Sequence, residues 1–461
     1  MINLFTNLRW GLALVVLSTT GNLAAQAQGV GIGTTAPAAS AVLDVASTTQ
    51  GQLLPRMTAA QRAAIANPVV GLFVFQTDGS PGLYYYINHS WMNLVNGLEP
   101  DADGNAGAST TTQVSTVAGF IPGFVDGANS NAQMYANGTS SVGQLNGPDG
   151  VVQDSYFNSS TLGHYYVADT RNNSIRVISP TRLTTVAGNG SWGDRDGTGI
   201  GAQFRSPGGV ALSSNSTILY VSDTGSDCIR QINLSTGGVS HMTGASGTSS
   251  QGYHDGSNSF AKFRTPSGII MGTGFLYRYL LVADRDNNCI RKVDPNPSGL
   301  TGTLVGNSTA GFVDGTGTAA RFNGPTGVAM FDNILYVADA GNHCIRKITS
   351  GPGGGVVVTT LAGNGAAGAN DGTGVVAQFN DPNGVAVDKL GNVYVADTGN
   401  NRIRKITAMG VVTTLAGSLQ GNTNGTAASA QFNKPSSLIY DSKSKAIIVT
   451  DRDNNCIRMI Q

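Results

Sequence analysis

Two decapeptides set far apart in the chain carry the same reactive side chains in the same order. DRDNNCIRKV begins at Asp284, and DRDNNCIRMI begins at Asp451. Two carboxylates one residue apart, followed by two amides, are oxygen donors of the kind that hold Ca2+. The cysteine adds a thiol open to redox chemistry. Against calcium, neither stretch has the glycine or the distal glutamate that a calcium loop uses. The third reading is a piece of architecture used more than once.

Repetition favours architecture. The two stretches belong to a set of six: VADTRNNSIRVI from Val167, VSDTGSDCIRQI from Val221, VADRDNNCIRKV from Val282, VADAGNHCIRKI from Val337, VADTGNNRIRKI from Val395 and VTDRDNNCIRMI from Val449. Each reads as a strand, a polar turn and a second strand. An Asp-Gly or Asn-Gly turn precedes every copy, at Asp126, Asp196, Asp255, Asp314, Asp371 and Asn424. In five units it leads to a phenylalanine: Phe204, Phe263, Phe322, Phe379 and Phe432. A proline turn and an apolar strand follow, as in DPNGVAV from Asp381, and VTTLAG follows the hairpin from Val358 and Val412. Four short strands in about 55–60 residues suggest the blade of a β-propeller.

The ends of the chain extend the pattern. The sixth unit stops at Gln461, before its outer strand, and an orphan copy of that strand, VSTVAG, begins at Val114. Pairing the two would complete the last blade and leave few open edges. The pattern PxGVAVDxxGNVYVADTGNNRIRKI, best kept from Pro382 to Ile406, resembles the NHL repeat, over roughly residues 113–461. The first unit departs from it by an insertion at 131–144 and by lacking the Ala-x-Phe step. The last has PSSLIY in place of Pro-x-Gly-Val.

Composition agrees with an all-β chain. There are 63 glycines in 461 residues and 12% charged residues, and Glu99 is the sole glutamate, so acidic chemistry falls to aspartate. Aspartate favours turns and caps over helix interiors. A net charge of zero gives no electrostatic case for nucleic acid or an anionic membrane. The N-terminus has Arg9, an apolar run and the small-residue triplet Ala25-Gln-Ala27, and reads as a secretory signal over residues 1–27. Its apolar run is too short to span a bilayer.

An exported chain with four cysteines would ordinarily form disulfides. Here Cys228, Cys289, Cys344 and Cys456 hold one equivalent repeat position. A third strand stands on the order of 12 Å from a propeller axis, at about 4.8 Å per strand. Equivalent points in neighbouring blades of a six-fold ring are separated by that same radius. A disulfide needs Cα atoms within about 7 Å. The cysteines are expected free and buried.

Site candidates divide into repeated and unrepeated residues. Asp169, Asp223, Asp284, Asp339, Asp397 and Asp451 occur in every unit, as do Arg176, Arg230, Arg291, Arg346, Arg404 and Arg458 seven residues later. A feature of every blade is what the blade needs to fold, with the carboxylate accepting turn N–H groups and the arginine pairing with a carboxylate. The loops that reach the same face carry Phe120, Phe124, Trp192, Tyr253 and Phe312, read here as unrepeated aromatics. With Arg285, Arg452 and His343 from the turns, they make the candidate ligand-binding set. The histidines at 89, 164, 241, 254 and 343 do not align as axial ligands. No Gly-x-Ser-x-Gly elbow or phosphate-cradling loop is present, and no catalytic residue is assigned.

Residues 28–98 differ in kind. The order VGIGT, LDV, LLPRMT, AQR, GLFVFQTD and YYYINHSW resembles a small module at the front of exported Bacteroidetes-type proteins, with tail-fibre-like relatives. TAAQRAAIANP reads as a helix capped by Thr58 with Gln61 completing a capping box, and a hairpin is expected around Asp78–Gly82. So small a core commonly relies on oligomerisation. Residues 99–112 read as a flexible linker.

The expected fold is therefore all-β: a six-bladed propeller of NHL repeats over 113–461, closed by an N-terminal strand and preceded by a small mixed α/β fibre-like module. The expected role is an exported, non-catalytic scaffold presenting a propeller face to a protein or polysaccharide, at the cell surface, outside the cell or in the periplasm. No cofactor, nucleic acid or membrane insertion is expected, and residues 28–98 are expected to form homo-oligomers. The alternative is an extracellular propeller enzyme of lyase or lactonase type, holding calcium or another metal in its axial channel.

Overall fold

The computed structural model describes residues 30–32, 43–45, 54–66, 68–69, 72–78, 82–87, 90–93, 112–128, 143–154, 164–244, 251–296 and 299–461. The expected secretory signal, His89, nearly all of the expected linker and most of the 131–144 insertion lie outside the described residues. The chain divides into two compact units, Met1–Gly107 and Ala108–Gln461. No helix among the described residues is long and apolar enough to cross a membrane.

In the first unit, β1 (Val30–Ile32) pairs in parallel with β2 (Leu43–Val45). A second sheet has the order β3 (Arg56–Met57), β4 (Phe73–Gln76), β5 (Gly82–Ile87) and β6 (Ser90–Asn93). The helix α1 (Ala59–Ala63) starts where the capping box put it: the Thr58 hydroxyl accepts the Gln61 N–H, and the Gln61 side chain accepts the Thr58 N–H. It ends before Pro68, within two turns. The hairpin across Asp78 forms as β4–β5.

The second unit consists of six five-stranded antiparallel sheets. In the fifth, Pro382–Val387 is innermost, followed outward by Val393–Asp397, Arg402–Ile406 and Val411–Ala416. Four strands per unit were expected, and each sheet has a fifth. The Asp-Gly turn carries a two-residue strand, here Gly372–Thr373, that pairs with the outermost long strand. It covers an edge that would otherwise present open N–H and C=O groups.

In the sixth sheet, β7 (Gln113–Gly119) takes the place of the outer long strand, between Cys456–Ile460 and Gly425–Thr426. Arg458 pairs with Thr116 and Ile460 with Val114, and the two chain segments exchange backbone hydrogen bonds at Gln113 and Gln461 (2.8 and 3.0 Å).

Apolar side chains fill every joint between successive sheets. Ala377, Phe379, Val395 and Ile406 of the fifth pack on Ala338 and Ile345 of the fourth. The last sheet packs on the first in the same way, with Val117, Ile448 and Ile457 against Tyr165, Val167 and Leu183. Leu145, fully buried, fills the place of the missing phenylalanine in the first unit. Each Pro-x-Gly glycine sits where only hydrogen fits. A Cβ at Gly327 would strike the Asn383 carbonyl oxygen, and one at Gly384 the Ser436 carbonyl oxygen.

Removing residues 113–119 strips the last sheet of one strand and exposes a long edge. The expected outcome is a markedly lower melting temperature with aggregation, measured by thermal melts and light scattering. Unchanged melting and solubility would contradict the role of β7.

Candidate binding face and central cavity

Each sheet is pinned by a buried ion pair. In the fifth, Arg404 is fully buried, and its Nη1 donates to Asp397 Oδ2 (2.7 Å) and the Gln378 carbonyl (3.0 Å). Its Nη2 donates to Asp371 Oδ1 (2.7 Å) and the Asn370 carbonyl (3.0 Å). Asp397 also accepts the Asn380 N–H (2.8 Å) and the Asn400 amide (2.8 Å). The same inner pair recurs in all six sheets at 2.7–3.3 Å.

Burial pushes the carboxyls of Asp169, Asp223, Asp284 and Asp451 up to about 6, against the pull of the arginine and the N–H donors. They remain ionised at neutral pH. The four cysteines are free and buried, each directly across the hairpin from the clamp aspartate. Burial raises their thiols well above the ordinary range.

In the DRDNN turns the two carboxylates are taken up separately. Asp284 and Asp451 are committed to Arg291 and Arg458. Asp286 instead meets Arg285 and the Thr265 hydroxyl, and Asp453 meets Arg171 (2.8 Å). Among the described residues, no three His, Cys, Asp or Glu side chains converge as a metal site.

The turn also ties each sheet to the next. Its fourth residue is left-handed, with φ of +47 to +55° at Asn173, Asp227, Asn288, His343, Asn401 and Asn455. The side chain at that position accepts a backbone N–H from the following sheet. Asn401 takes Lys434 N–H (2.8 Å), and Asn455 takes Gly147 N–H (2.9 Å) across the last joint. His343 follows the rule, its Nδ1 accepting the Asp381 N–H (3.1 Å).

The candidate aromatics are less singular than the sequence suggests. Phe124, Tyr253 and Phe312 stand at one equivalent place, two residues before the turn aspartate, and each lies over its sheet's buried arginine at 5.1–5.4 Å. They shield that cation as much as they face solvent. Trp192 is 64% exposed and lies over Arg205 at 4.0 Å; Phe120 is 49% exposed. Loops and turns share one face because turn asparagines donate to loop glycine carbonyls, such as Asn172 to Gly123 and Asn400 to Gly368.

The inner strands of all six sheets line a central cavity of about 430 Å3. Its polar side chains include Asp149, Ser267, Thr326, Asn383 and Ser436, the middle residues of the Pro-x-Gly steps, and Asp149 is its one charged residue. Sequence reading passed over these positions. The signal was present: within an otherwise apolar strand, five of the six units carry a polar residue at that place, the second having Gly208. Burial pushes the Asp149 carboxyl up, with Arg452, the Ser436 hydroxyl and Arg285 pulling it down.

Residues 322–348 and 379–406 match the NHL repeat family. Each stretch runs from the phenylalanine under the arginine to the strand that bears that arginine. The chain carries NHL repeats. Residues 31–114 match the phage tail like trimerisation region. The chain is similar to the protein SUPPRESSOR OF QUENCHING 1, chloroplastic, of Arabidopsis thaliana, at 31% identity over 58% of this chain and 26% of that protein. It is also similar to human NHL repeat-containing protein 2, at 30% identity over 56% of this chain and 40% of that protein. The matches thus span well under half of either relative. Among solved structures, an auxiliary nutrient binding protein of Bacteroides thetaiotaomicron shares the fold, with 15% identity, 83% of each chain covered and a TM-score of 0.57.

The NHL units differ in one part of the clamp. Five arginines reach an outer aspartate, whereas Arg458 donates its Nη2 to the Thr423 carbonyl, and Asn424 stands at the aspartate position. Asn424→Asp restores the second carboxylate at a half-exposed site and is expected to stabilise the protein by about 0.5–1 kcal/mol. Urea denaturation checks this; a neutral or destabilising result would contradict the outer carboxylate's part in the clamp.

Proposed function

We propose that the second unit is a six-bladed NHL propeller closed by β7, working as an exported, non-catalytic binding scaffold for a polysaccharide or protein outside the cell. The observation that carries this reading is the concentration of unspent recognition groups on one face. Trp192 and Phe120 are exposed, Arg285 and Arg452 stand close enough to pull on Asp149 in the lining of a cavity to which all six sheets contribute, and the repeated residues are consumed by the clamp. Aromatic and arginine side chains at the rim of a concavity are what hot spots are made of. The first unit is proposed to assemble the chain as a homotrimer, supported by the match of residues 31–114.

The test is a screen of the full chain against surface polysaccharides and envelope proteins, with and without EDTA. A saturable ligand is expected, and Trp192→Ala should weaken it by about 2 kcal/mol with little change in melting. Tyr253→Ala should lower stability as well, because it uncovers Arg291. Metal-dependent turnover of a substrate, unaffected by Trp192→Ala, would overturn the scaffold reading in favour of a lyase or lactonase.

A further inference from the structure

The residue after the clamp aspartate is Thr170, Thr224, Arg285, Ala340, Thr398 and Arg452 in the six sheets. The three threonines donate to the carbonyls of Pro207, Pro266 and Pro435 at 2.6–2.8 Å. Those prolines begin the next inner strand, so this position overlooks the cavity opening. Arginine occupies it in the third and sixth sheets, and neighbouring inner strands follow one another in cyclic order from the first sheet to the sixth and back. Third and sixth therefore stand opposite each other across the opening.

Neither arginine belongs to the framework. Arg285 pairs with its neighbour Asp286 (3.0 Å), both of these side chains are exposed, and its charge also pulls on Asp149. Arg452 lies 3.8 Å from Asp453, which Arg171 (2.8 Å) and Lys434 (3.8 Å) already neutralise. Asp149 and Asn383 both line the cavity; Arg452 and Arg285 pull on the Asp149 carboxylate, and the Asn383 carbonyl accepts the Thr326 hydroxyl (2.9 Å). Two opposed guanidinium groups suit an anion, and carboxylate is the planar partner that a guanidinium fork fits. Asp149 and Asn383 suit hydroxyl groups, and about 430 Å3 holds a sugar ring or two.

We infer that this opening takes a hydroxylated carboxylate, a uronate unit of an acidic polysaccharide, with the carboxylate between Arg285 and Arg452 and the ring hydroxyls on Asp149 and Asn383. The inference rests on the binding reading above and adds the ligand class.

The test titrates the full chain with D-glucuronate, D-glucose and N-acetylglutamate by calorimetry at low salt. Glucuronate is expected to bind at least about tenfold more tightly than either of the others. The double variant Arg285→Gln, Arg452→Gln should bring glucuronate down to the level of glucose, with melting unchanged. Arg278→Gln, at the opposite end of the third sheet, should bind as the parent does. Equal binding of glucose, equal binding of N-acetylglutamate, no binding of glucuronate, or a double variant that retains it would each overturn the assignment. A neutral ligand found in the wider screen and kept by the double variant would reject the uronate class while leaving the scaffold reading intact.

Discussion

The second unit depends on one interaction made six times: a fully buried arginine held between two carboxylates or their carbonyl substitutes. Its inner aspartate does several things together. One oxygen accepts the N–H that follows the buried phenylalanine; the other accepts the guanidinium and the turn asparagine. The guanidinium then reaches the outer turn and two carbonyls. One cluster thereby fixes the inner hairpin, the outer edge and the loop between sheets. A buried charge is tolerated when it is paired; the two terminal nitrogens of Arg404 make four hydrogen bonds, while its Nε is left without an acceptor. A register slip in the outer pairing beside each arginine, such as between Ile403 and Arg404, accompanies that placement.

Once the clamp is fixed, the remaining features follow. The three-residue turn must end in a left-handed residue, and its side chain is free to reach the next sheet. That is why asparagine, aspartate or histidine holds the place, and why His343 serves as a joint. The tight apposition of inner strands excludes a Cβ at the Pro-x-Gly glycines. Positions outside the clamp and its joint residue vary from sheet to sheet. They are the residue after the clamp aspartate, the middle of Pro-x-Gly and the loop tips, and all three converge on one face.

Much of this was legible in the sequence because it repeats. The Asp–Arg spacing, the buried cysteines and the Thr58 capping box each rest on local chemistry that short-range pattern records. What was missed depends on three-dimensional register. The fifth strand is two residues long and looks like the turn that contains it. Phe124, Tyr253 and Phe312 seem unrelated until the sheets are superposed, since aspartate, alanine and asparagine hold the same place in the other units. The cavity residues escaped notice because one polar residue in an apolar strand reads as noise until five of them meet.

The most direct test of the clamp is a double-mutant cycle on Asp397 and Arg404, with Asp397→Ala, Arg404→Ala and the pair compared by urea unfolding. Each single change leaves the other charge buried and unpaired, a loss of about 3–5 kcal/mol. The double change removes both charges, so its cost should fall short of the sum by at least about 2 kcal/mol. Strictly additive losses, or single losses below about 1 kcal/mol typical of exposed pairs, would contradict the claim that this interaction holds the sheets together.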